Sequence, residues 1–413
     1  MSMHLTRQQL FGDLRQAYFD ARRHKRSRHY QRTFEARADE NLLALCDELY
    51  SRCYRAGPST CFLVRDPKLR EVFAAQFRDR IVHHLYYNYT HKMLERTFIA
   101  DSYSCIKGRG TNYGIDRLAQ HIRQVSENWQ SPCYVLKMDI KGYFMHFNRE
   151  RLLQITLRQL RHLAPRKASS GSQHRWGDCV DLNFLEWLSR EIILLDPTAG
   201  CKMQGNAEDW NNLPYDKSLF HSPQGCGLPI GNLTSQLFSN VYLNELDQYM
   251  KRHLKCRHYG RYVDDFYVVS CDKEWLRRLV PQAHHFLHDK LSLQLHEGKV
   301  RIYNARYGVD FLGGYIKPYR NYISNATLHR MVNKLATLQD DDPLRLGSRI
   351  NSLLGVLSHY SSIRLQRRLF HPLTLQQHSG NLVFDGQKYK WRSFLTSTIP
   401  KKVVQKNRQN VAF

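Results

Sequence analysis

Two adjacent aspartates, Asp264 and Asp265, interrupt an otherwise apolar, β-prone stretch that runs from Tyr259 to Val269. Half-buried carboxylates in such a setting cost several kcal/mol each, to order of magnitude, unless a cation neutralises them. Successive residues of a strand face opposite ways, so both acids reach one site only at a turn or strand end. The two β-prone runs therefore read as a hairpin with the acids at its tip. A third carboxylate has to come from elsewhere in the chain. Asp139 is the candidate, because it closes the short β-prone run Cys133 to Met138. Hard oxygen ligands from two neighbouring strands can hold two Mg²⁺ ions about 3.5–4 Å apart. Such a pair activates an attacking hydroxyl and stabilises a leaving pyrophosphate, which is phosphoryl-transfer chemistry. An isolated Asp-Asp pair is otherwise an ordinary solvated turn, so the surroundings have to decide.

The chain has 413 residues, enough for two or three packed units, and its 42% hydrophobic and 12% aromatic content excludes a disordered polypeptide. Lysine and arginine total 62 against 37 acids, a net charge of +25. A surface that basic calls for a polyanionic partner, and nucleic acid fits better than a merely solvated basic face. The ten cysteines contain no C-x-x-C pair, which fits reduced thiols in a cytoplasm. No apolar run approaches the ~20 residues needed to span a bilayer, and Met1 to Leu10 lack a signal-type apolar region. His284, His285 and His288 fall in a helical pattern that offers no carboxylate or cysteine at ligand spacing, so they read as solvent-facing rather than as a zinc site.

The elements that must position these groups read as mixed α and β. Residues 8 to 55 follow a basic, helical pattern ended by Gly57-Pro58. Lys107-Gly108-Arg109-Gly110-Thr111 is a flexible basic stretch whose glycines let backbone amides approach phosphates. Asn148 caps a helix carrying Leu152, Leu153, Leu157 and Leu160. Residues 165 to 225 read as an elaboration inserted between core elements. From Leu233 an amphipathic helix runs to Met250, with Asn232 or Thr234 available as cap. Another helix spans 274 to 291, short strands lie around Gly308 and Gly313-Gly314, a basic helical region covers 326 to 370, and the tail after Pro400 is loose.

With this context the sequence resembles the reverse transcriptases. Tyr262-Val263-Asp264-Asp265 looks like their YxDD motif, and Asp139 followed five positions later by Phe144 resembles their first palm motif. Asp139-Ile140-Lys141-Gly142-Tyr143-Phe144 is similar to the DIKGxF run of bacterial group II intron and related enzymes. Lys68-Leu69-Arg70 and Arg78-Asp79-Arg80 resemble the fingertip motifs. Gly227 to Gln236 resembles the motif before the long palm helix, but its Ser235-Gln236 departs from the Ser-Pro of intron enzymes. That signature is similar to reverse transcriptases of diversity-generating retroelements and of defence-associated bacterial systems, all of the non-LTR group. Phe311-Leu312-Gly313-Gly314 looks like the primer-grip turn. The likeness covers most of residues 60 to 365, with the motifs in the expected order.

The resemblance implies an α+β right-hand polymerase. Residues 1–60 would be a helical extension, 61–130 fingers, 131–318 a palm of antiparallel sheet plus helices with its insert at about 165–225, and 319–413 a helical thumb and tail. It implies that Asp139 and Asp264 bind two Mg²⁺ ions, with Mn²⁺ as a substitute, helped by Asp265 and the Ile140 carbonyl. Lys68, Arg70 and Arg80 would clamp the incoming triphosphate, or lie on a solvated face. Phe144 would exclude a 2′-hydroxyl by bulk, or serve as a core aromatic. Gln236 would meet a base edge or sugar, or cap and pack. Lys299 would protonate the leaving pyrophosphate, or be a plain surface lysine. Lys107, Arg109, Gly231, Gly313 and Gly314 would follow the template-primer pair, and Arg345, Arg349, Arg364, Arg367 and Arg368 would grip the hybrid from the thumb. The implied activity is RNA-directed DNA synthesis from dNTPs on a structured noncoding RNA, giving an RNA–DNA hybrid, in antiphage defence or in diversity generation. A non-catalytic RNA-binding scaffold of maturase type is the reading from another class.

Overall fold

Apolar residues three and four apart build the first layer. α1 (Arg7–Arg22) buries Leu10, Leu14, Ala17, Tyr18 and Ala21. A reciprocal cap closes its start: Thr6 Oγ1 accepts from the Gln9 amide (3.2 Å) and Gln9 Oε1 from the Thr6 amide (3.1 Å). After α2 (His29–Glu35), α3 (Ala38–Tyr50) buries Leu42, Leu45, Cys46 and Leu49. The structure, a computed structural model, describes residues 4–23, 29–65, 68–336, 343–370, 382–384 and 389–391. It divides into two units, Met1–Tyr303 and Asn304–Phe413.

In the first unit β1 (Thr60–Val64) and β2 (Arg70–Ala74) form an antiparallel ladder, α4 (Phe77–Glu95) packs on α1, and α5 (Thr111–Val125) follows. β3 (Tyr134–Lys141) is covered on both faces, which is why Val135, Leu136, Met138 and Ile140 form a nearly continuous buried apolar run. It extends past Asp139 to Lys141, so Asp139 lies within the strand rather than closing it. α6 (Arg149–Leu163) starts at Asn148, whose Oδ1 accepts from the Arg151 amide at 2.8 Å. Then come α7 (Leu182–Ile193), β4 (Lys202–Met203) and α8 (Ala207–Asn211). These lie in the stretch read as an inserted elaboration, yet α7 belongs to the main core: Phe184, Leu185 and Leu188 are 2%, 1% and 0% exposed, against α6. β4 adds a parallel strand to β1.

α9 (Leu233–Gln248) is buried along most of its length, but neither expected residue caps it with its side chain. Asn232 Oδ1 accepts from the Ala75 amide (3.4 Å), and the Thr234 hydroxyl bonds His83 Nδ1 (2.7 Å). The first ties α9 to the segment joining β2 and α4, the second to α4 itself. β5 (Tyr259–Tyr262) and β6 (Asp265–Ser270) form the hairpin read from the sequence. α10 (Lys273–Leu291), β7 (Gln294–Leu295) and β8 (Arg301–Asn304) complete the unit. The central sheet has the order β5-β6-β3-β7, with β8 also paired to β3. On α10 the three histidines are exposed, but a carboxylate is at hand after all: Asp289 meets His285 at 2.9 Å and His288 at 2.8 Å, a surface contact of little energetic weight.

In the second unit β9 (Val309–Phe311), β10 (Gly314–Lys317) and β11 (Arg320–Ile323) form an antiparallel sheet. α11 (Asn325–Ala336), α12 (Pro343–Leu357) and α13 (Ile363–Leu369) gather around Ile323, Met331, Ile350, Leu354, Leu357 and Phe370. β12 (Leu382–Phe384) pairs with β13 (Tyr389–Trp391). Arg349, Arg364, Arg367 and Arg368 are exposed, whereas the Arg345 side chain and everything after Pro400 lie outside the described residues. Among the described residues no helix is long and apolar enough to cross a membrane.

If α7 is core, Leu188→Ala removes a fully buried side chain and lowers unfolding free energy by about 2–5 kcal/mol, readable as a drop in urea midpoint.

Candidate active site

The register of β3 against β6 places Asp139 directly opposite Asp265, with Met138 opposite Phe266 one step along. Cross-strand partners share a face, so two of the three carboxylates project to the same side of the sheet. Asp264 joins them from the two-residue turn between Tyr262 and Asp265, and its carbonyl accepts from the Ile140 amide at 3.3 Å. The third member of the set thus comes from a turn, as an acid next to a strand residue must.

That turn is strained. Val263 has φ of 55°, a left-handed conformation in which a β-branched side chain is a genuine outlier, of order 1–3 kcal/mol. Two groups fasten it: the Val263 amide donates to Ser104 Oγ (3.2 Å), and Arg261 Nη1 donates to the Val263 carbonyl (3.0 Å). Arg261 is wholly buried and is neutralised by Asp247, Nε to Oδ1 at 2.8 Å and Nη2 to Oδ2 at 2.7 Å. Tyr259 also donates to Asp247 Oδ1, at 2.6 Å. The sequence reading passed over Arg261, Asp247 and Ser104. Its one usable signal was an arginine inside an apolar strand, which is tenable only with a buried partner.

The carboxylates repel one another. Burial first, and then the charges of Asp139 and Asp265, push the Asp264 carboxyl up to about 6. Burial also raises Asp265, with Asp139 adding to it and Lys137 and Lys299 opposing. The positive charge the acids call for is present in part: Lys299 Nζ donates to Asp139 Oδ2 at 2.8 Å. Burial works to lower the Lys299 pKa, but this hydrogen bond and the three carboxylates outweigh it and raise it. Among the described residues no group of three or more His, Cys, Asp or Glu forms a ready-made metal cage. The acids are gathered, with an ammonium standing beside them.

Around this centre the other expected residues divide. Arg70 lies near enough to Tyr262 to pull its hydroxyl pKa down against the larger effect of burial, and Lys68 is exposed. Arg80, Gly231 and Gln236 line one cleft of about 1640 Å³, together with Tyr30 and His84. Arg80 is engaged there, donating to the Ala75 carbonyl (2.8 Å) and the Tyr30 hydroxyl (2.8 Å) over the Tyr30 ring. Arg78 and Asp79 are structural. Arg78 grips Glu48 through two hydrogen bonds, and the buried Asp79 accepts from Tyr54 and from the Gly57 amide. Gly231 has φ of 131°, and a Cβ there would stand 2.4 Å from the Phe73 carbonyl oxygen, so only glycine fits against β2. Phe144 is half-buried, edge-on to Tyr143, and its carbonyl accepts from the Leu228 amide at 2.8 Å. Arg109 turns inward onto the carbonyls of Ile99 (3.1 Å) and Ser102 (2.8 Å), leaving Lys107 as an exposed cation of that loop. Gly313 and Gly314 belong to the second unit, at the β9–β10 turn.

Residues 197–316 match the family described as reverse transcriptase (RNA-dependent DNA polymerase). That domain takes in Tyr262 to Asp265 and Lys299 but not Asp139. No curated protein matches the chain. Among solved structures, the chain is similar to apo telomerase of Candida tropicalis truncated from its C-terminal domain, at 12% identity and TM-score 0.46, over 70% of this chain and 60% of that one. It is also similar to Candida albicans telomerase with a telomeric RNA fragment, at 12% identity and TM-score 0.44, over 78% and 57%. The chain thus spans less than two thirds of either.

Two measurements follow. Asp264 holds its proton more tightly folded than unfolded, so its contribution to stability is fully present at low pH and is lost as pH rises through about 6. In chelator at pH 8, Asp264→Asn therefore raises the melting temperature, by the equivalent of about 1–3 kcal/mol, and flattens its decline between pH 4 and 6. Arg261→Ala strands Asp247 and lowers stability by about 3–5 kcal/mol in denaturant titrations.

Proposed function

We propose that this chain is an RNA-directed DNA polymerase that extends a 3′-hydroxyl with deoxynucleotides on an RNA template. The observation that carries the reading is the meeting of Asp139 with Asp264 and Asp265, against Lys299, the last three lying within the stretch that matches the reverse transcriptase family. In this reading residues 61–130 act as fingers, 131–318 as palm and 319–413 as thumb.

The donor set consists of hard carboxylate oxygens with unneutralised charge, which suits Mg²⁺ or Mn²⁺. Asp139 and Asp264, helped by Asp265 and the Ile140 carbonyl, would hold two such ions, which would supply activation of a hydroxyl and neutralisation of a leaving pyrophosphate. The chain's own groups do the rest by positioning. Lys299 Nζ, released from Asp139, carries the proton that a departing pyrophosphate oxygen requires. Arg70, close to Tyr262, and the exposed Lys68 take the triphosphate oxygens. The half-buried Phe144 ring limits room at the sugar. Gln236, exposed in the cleft it lines with Gly231, meets the nascent pair, and Lys107 meets template phosphates.

The +25 charge favours a nucleic-acid template, read here as a structured noncoding RNA. The Ser235-Gln236 signature fits two settings alike, and the extra length of the 165–225 stretch and of the N-terminal extension tilts the reading to cytoplasmic antiphage defence. Templated mutagenesis in a diversity-generating retroelement is the rival setting. The ion pair of Lys299 with Asp139, which occupies one of the three acids, is the observation on the side of a second reading, a non-catalytic RNA scaffold of maturase type, against which the gathered acids stand.

Primer extension by purified protein with Mg²⁺, dNTPs and an RNA template separates the two. Synthesis that Asp264→Ala with Asp265→Ala reduces at least 100-fold is expected, whereas tight RNA retention without any synthesis would establish the scaffold. In the same assay Phe144→Ala raises ribonucleotide incorporation at least several-fold; an unchanged preference for dNTPs removes its gate role.

A further inference from the structure

At the end remote from Asp139, the ladder of β3 and β6 closes with Tyr134 opposite Ser270. One step further along each strand stand Cys133 and Cys271. The same register sets these two opposite each other, on the face that carries Asp139 and Asp265. They lie close enough to act on one another: burial first, and then the charge of a Cys271 thiolate, pushes the Cys133 thiol up to about 12.

Opposed residues of an antiparallel pair alternate between hydrogen-bonded and non-hydrogen-bonded pairs, and the kind decides how readily two cysteines join. The Ile140 amide donates to the carbonyl of Asp264 directly opposite, so that pair is hydrogen-bonded. Alternation down the ladder makes Tyr134 with Ser270 hydrogen-bonded too, and Cys133 with Cys271 a non-hydrogen-bonded pair. The other edge of β6 agrees, because the Val269 amide donates to the His258 carbonyl on the β5 side, which leaves Ser270 facing β3. In non-hydrogen-bonded pairs the Cα atoms approach to about 4.5 Å with the side chains drawn together. A disulfide takes Cα atoms about 4.4–6.8 Å apart, so the bond asks for little movement of the backbone.

Both cysteines are held in place. Cys271 joins the end of β6 to the cap of α10, where Asp272 Oδ1 accepts from the Trp275 amide (2.9 Å) and the Asp272 amide donates to Ser270 Oγ (3.1 Å). Cys133 follows a turn in which the Gln130 and Ser131 amides donate to the Ser126 carbonyl, at 2.8 and 2.9 Å. Both are free thiols, Cys271 exposed and Cys133 only 3% exposed. A dissolved oxidant therefore reaches one of them, with the other directly across the ladder.

We propose that Cys133 and Cys271 form a reversible disulfide, made by a peroxide, that clamps β3 to β6. The Cys271 sulfur attacks the O–O bond, giving a sulfenic acid and one water. The Cys133 sulfur, losing its proton, then attacks the Cys271 sulfur; the S–S bond forms and the hydroxyl leaves with that proton as a second water. Two thiols thus give up two electrons to one peroxide. The raised pKa that keeps Cys133 inert toward dissolved oxidants is offset by its fixed position beside Cys271. A dithiol reverses the bond by exchange. The clamp sits about 20 Å along β3 from Asp139 and closes a loop of about 140 residues. It fastens the register that gathers the acids without touching them, and the inference stands whether or not the chain polymerises.

The test takes the full chain, reduced, through hydrogen peroxide, thiol blocking with iodoacetamide and digestion. Mass spectrometry is expected to find a peptide joining Cys133 to Cys271 that dithiothreitol releases. The oxidised protein melts about 5 °C above the reduced one. Cys271→Ser, at an exposed position, abolishes both the joined peptide and the rise, so the test does not depend on how a variant at the buried partner folds. In Cys133→Ala the sulfenic acid has no partner, and dimedone labels Cys271 several-fold more than in the unaltered chain. No joined peptide, Cys271 joined to a different cysteine, or a melting temperature that oxidation leaves unchanged or lowers would overturn the clamp.

Discussion

Antiparallel pairing of β3 with β6 is the constraint on which the remainder depends. Two strands remote in sequence lie in one register, and that register alone decides whether Asp139 and Asp265 share a face. Because side chains alternate, a slip of one residue would turn Asp139 into the hydrophobic layer and bring Met138 out. The register is protected by the buried run on each strand, since Leu136, Met138, Phe266 and Val268 have to enter the same core. Hydrophobic burial, which is non-directional, thus fixes a polar site to within a fraction of a residue step.

Gathering three acids in one place works against folding, and the neighbourhood is organised to bear it. Asp264 is held in a turn whose preceding residue is strained, and Arg261 with Ser104 grips that residue's backbone from both sides. Arg261 is itself a buried charge, acceptable only because Asp247 and the surrounding hydrogen bonds satisfy it. The arrangement is a chain of compensations: a buried ion pair holds a strained turn, which holds a carboxylate against two others. Lys299 supplies partial neutralisation at the surface end.

The segment 227–236 connects this centre to the β1–β2 sheet. Its Leu228 amide bonds Phe144, its Ile230 carbonyl accepts from the Phe73 amide, and Asn232 and Thr234 reach Ala75 and His83. Gly231 allows the close approach that makes these bonds possible. Glu71, buried on β2, accepts from Ser218 and Leu219, so the strand bearing Arg70 is held from that side too. A cleft bordered by Arg80, Gly231 and Gln236 is therefore framed by hydrogen bonds rather than by loose loops.

Local chemistry written in the sequence determined the helices, the β5–β6 hairpin and the identity of the three acids. Periodicity, an Asn148 cap and an acid pair inside an apolar strand act within a few residues of one another, so they can be read without knowing the fold. What only the tertiary structure decided is where polar side chains find partners. Asn232 and Thr234 looked like caps but bond Ala75, just past β2, and His83 of α4, Arg109 looked like a phosphate contact but latches its own loop, and α7 looked like part of an insertion but completes the core. Arg261 and Asp247 went unnoticed because their pairing joins a helix to a strand. Hydrogen bonds and ion pairs are short-ranged and directional, so they are settled only when distant segments meet, whereas turn and helix preferences are settled before they do.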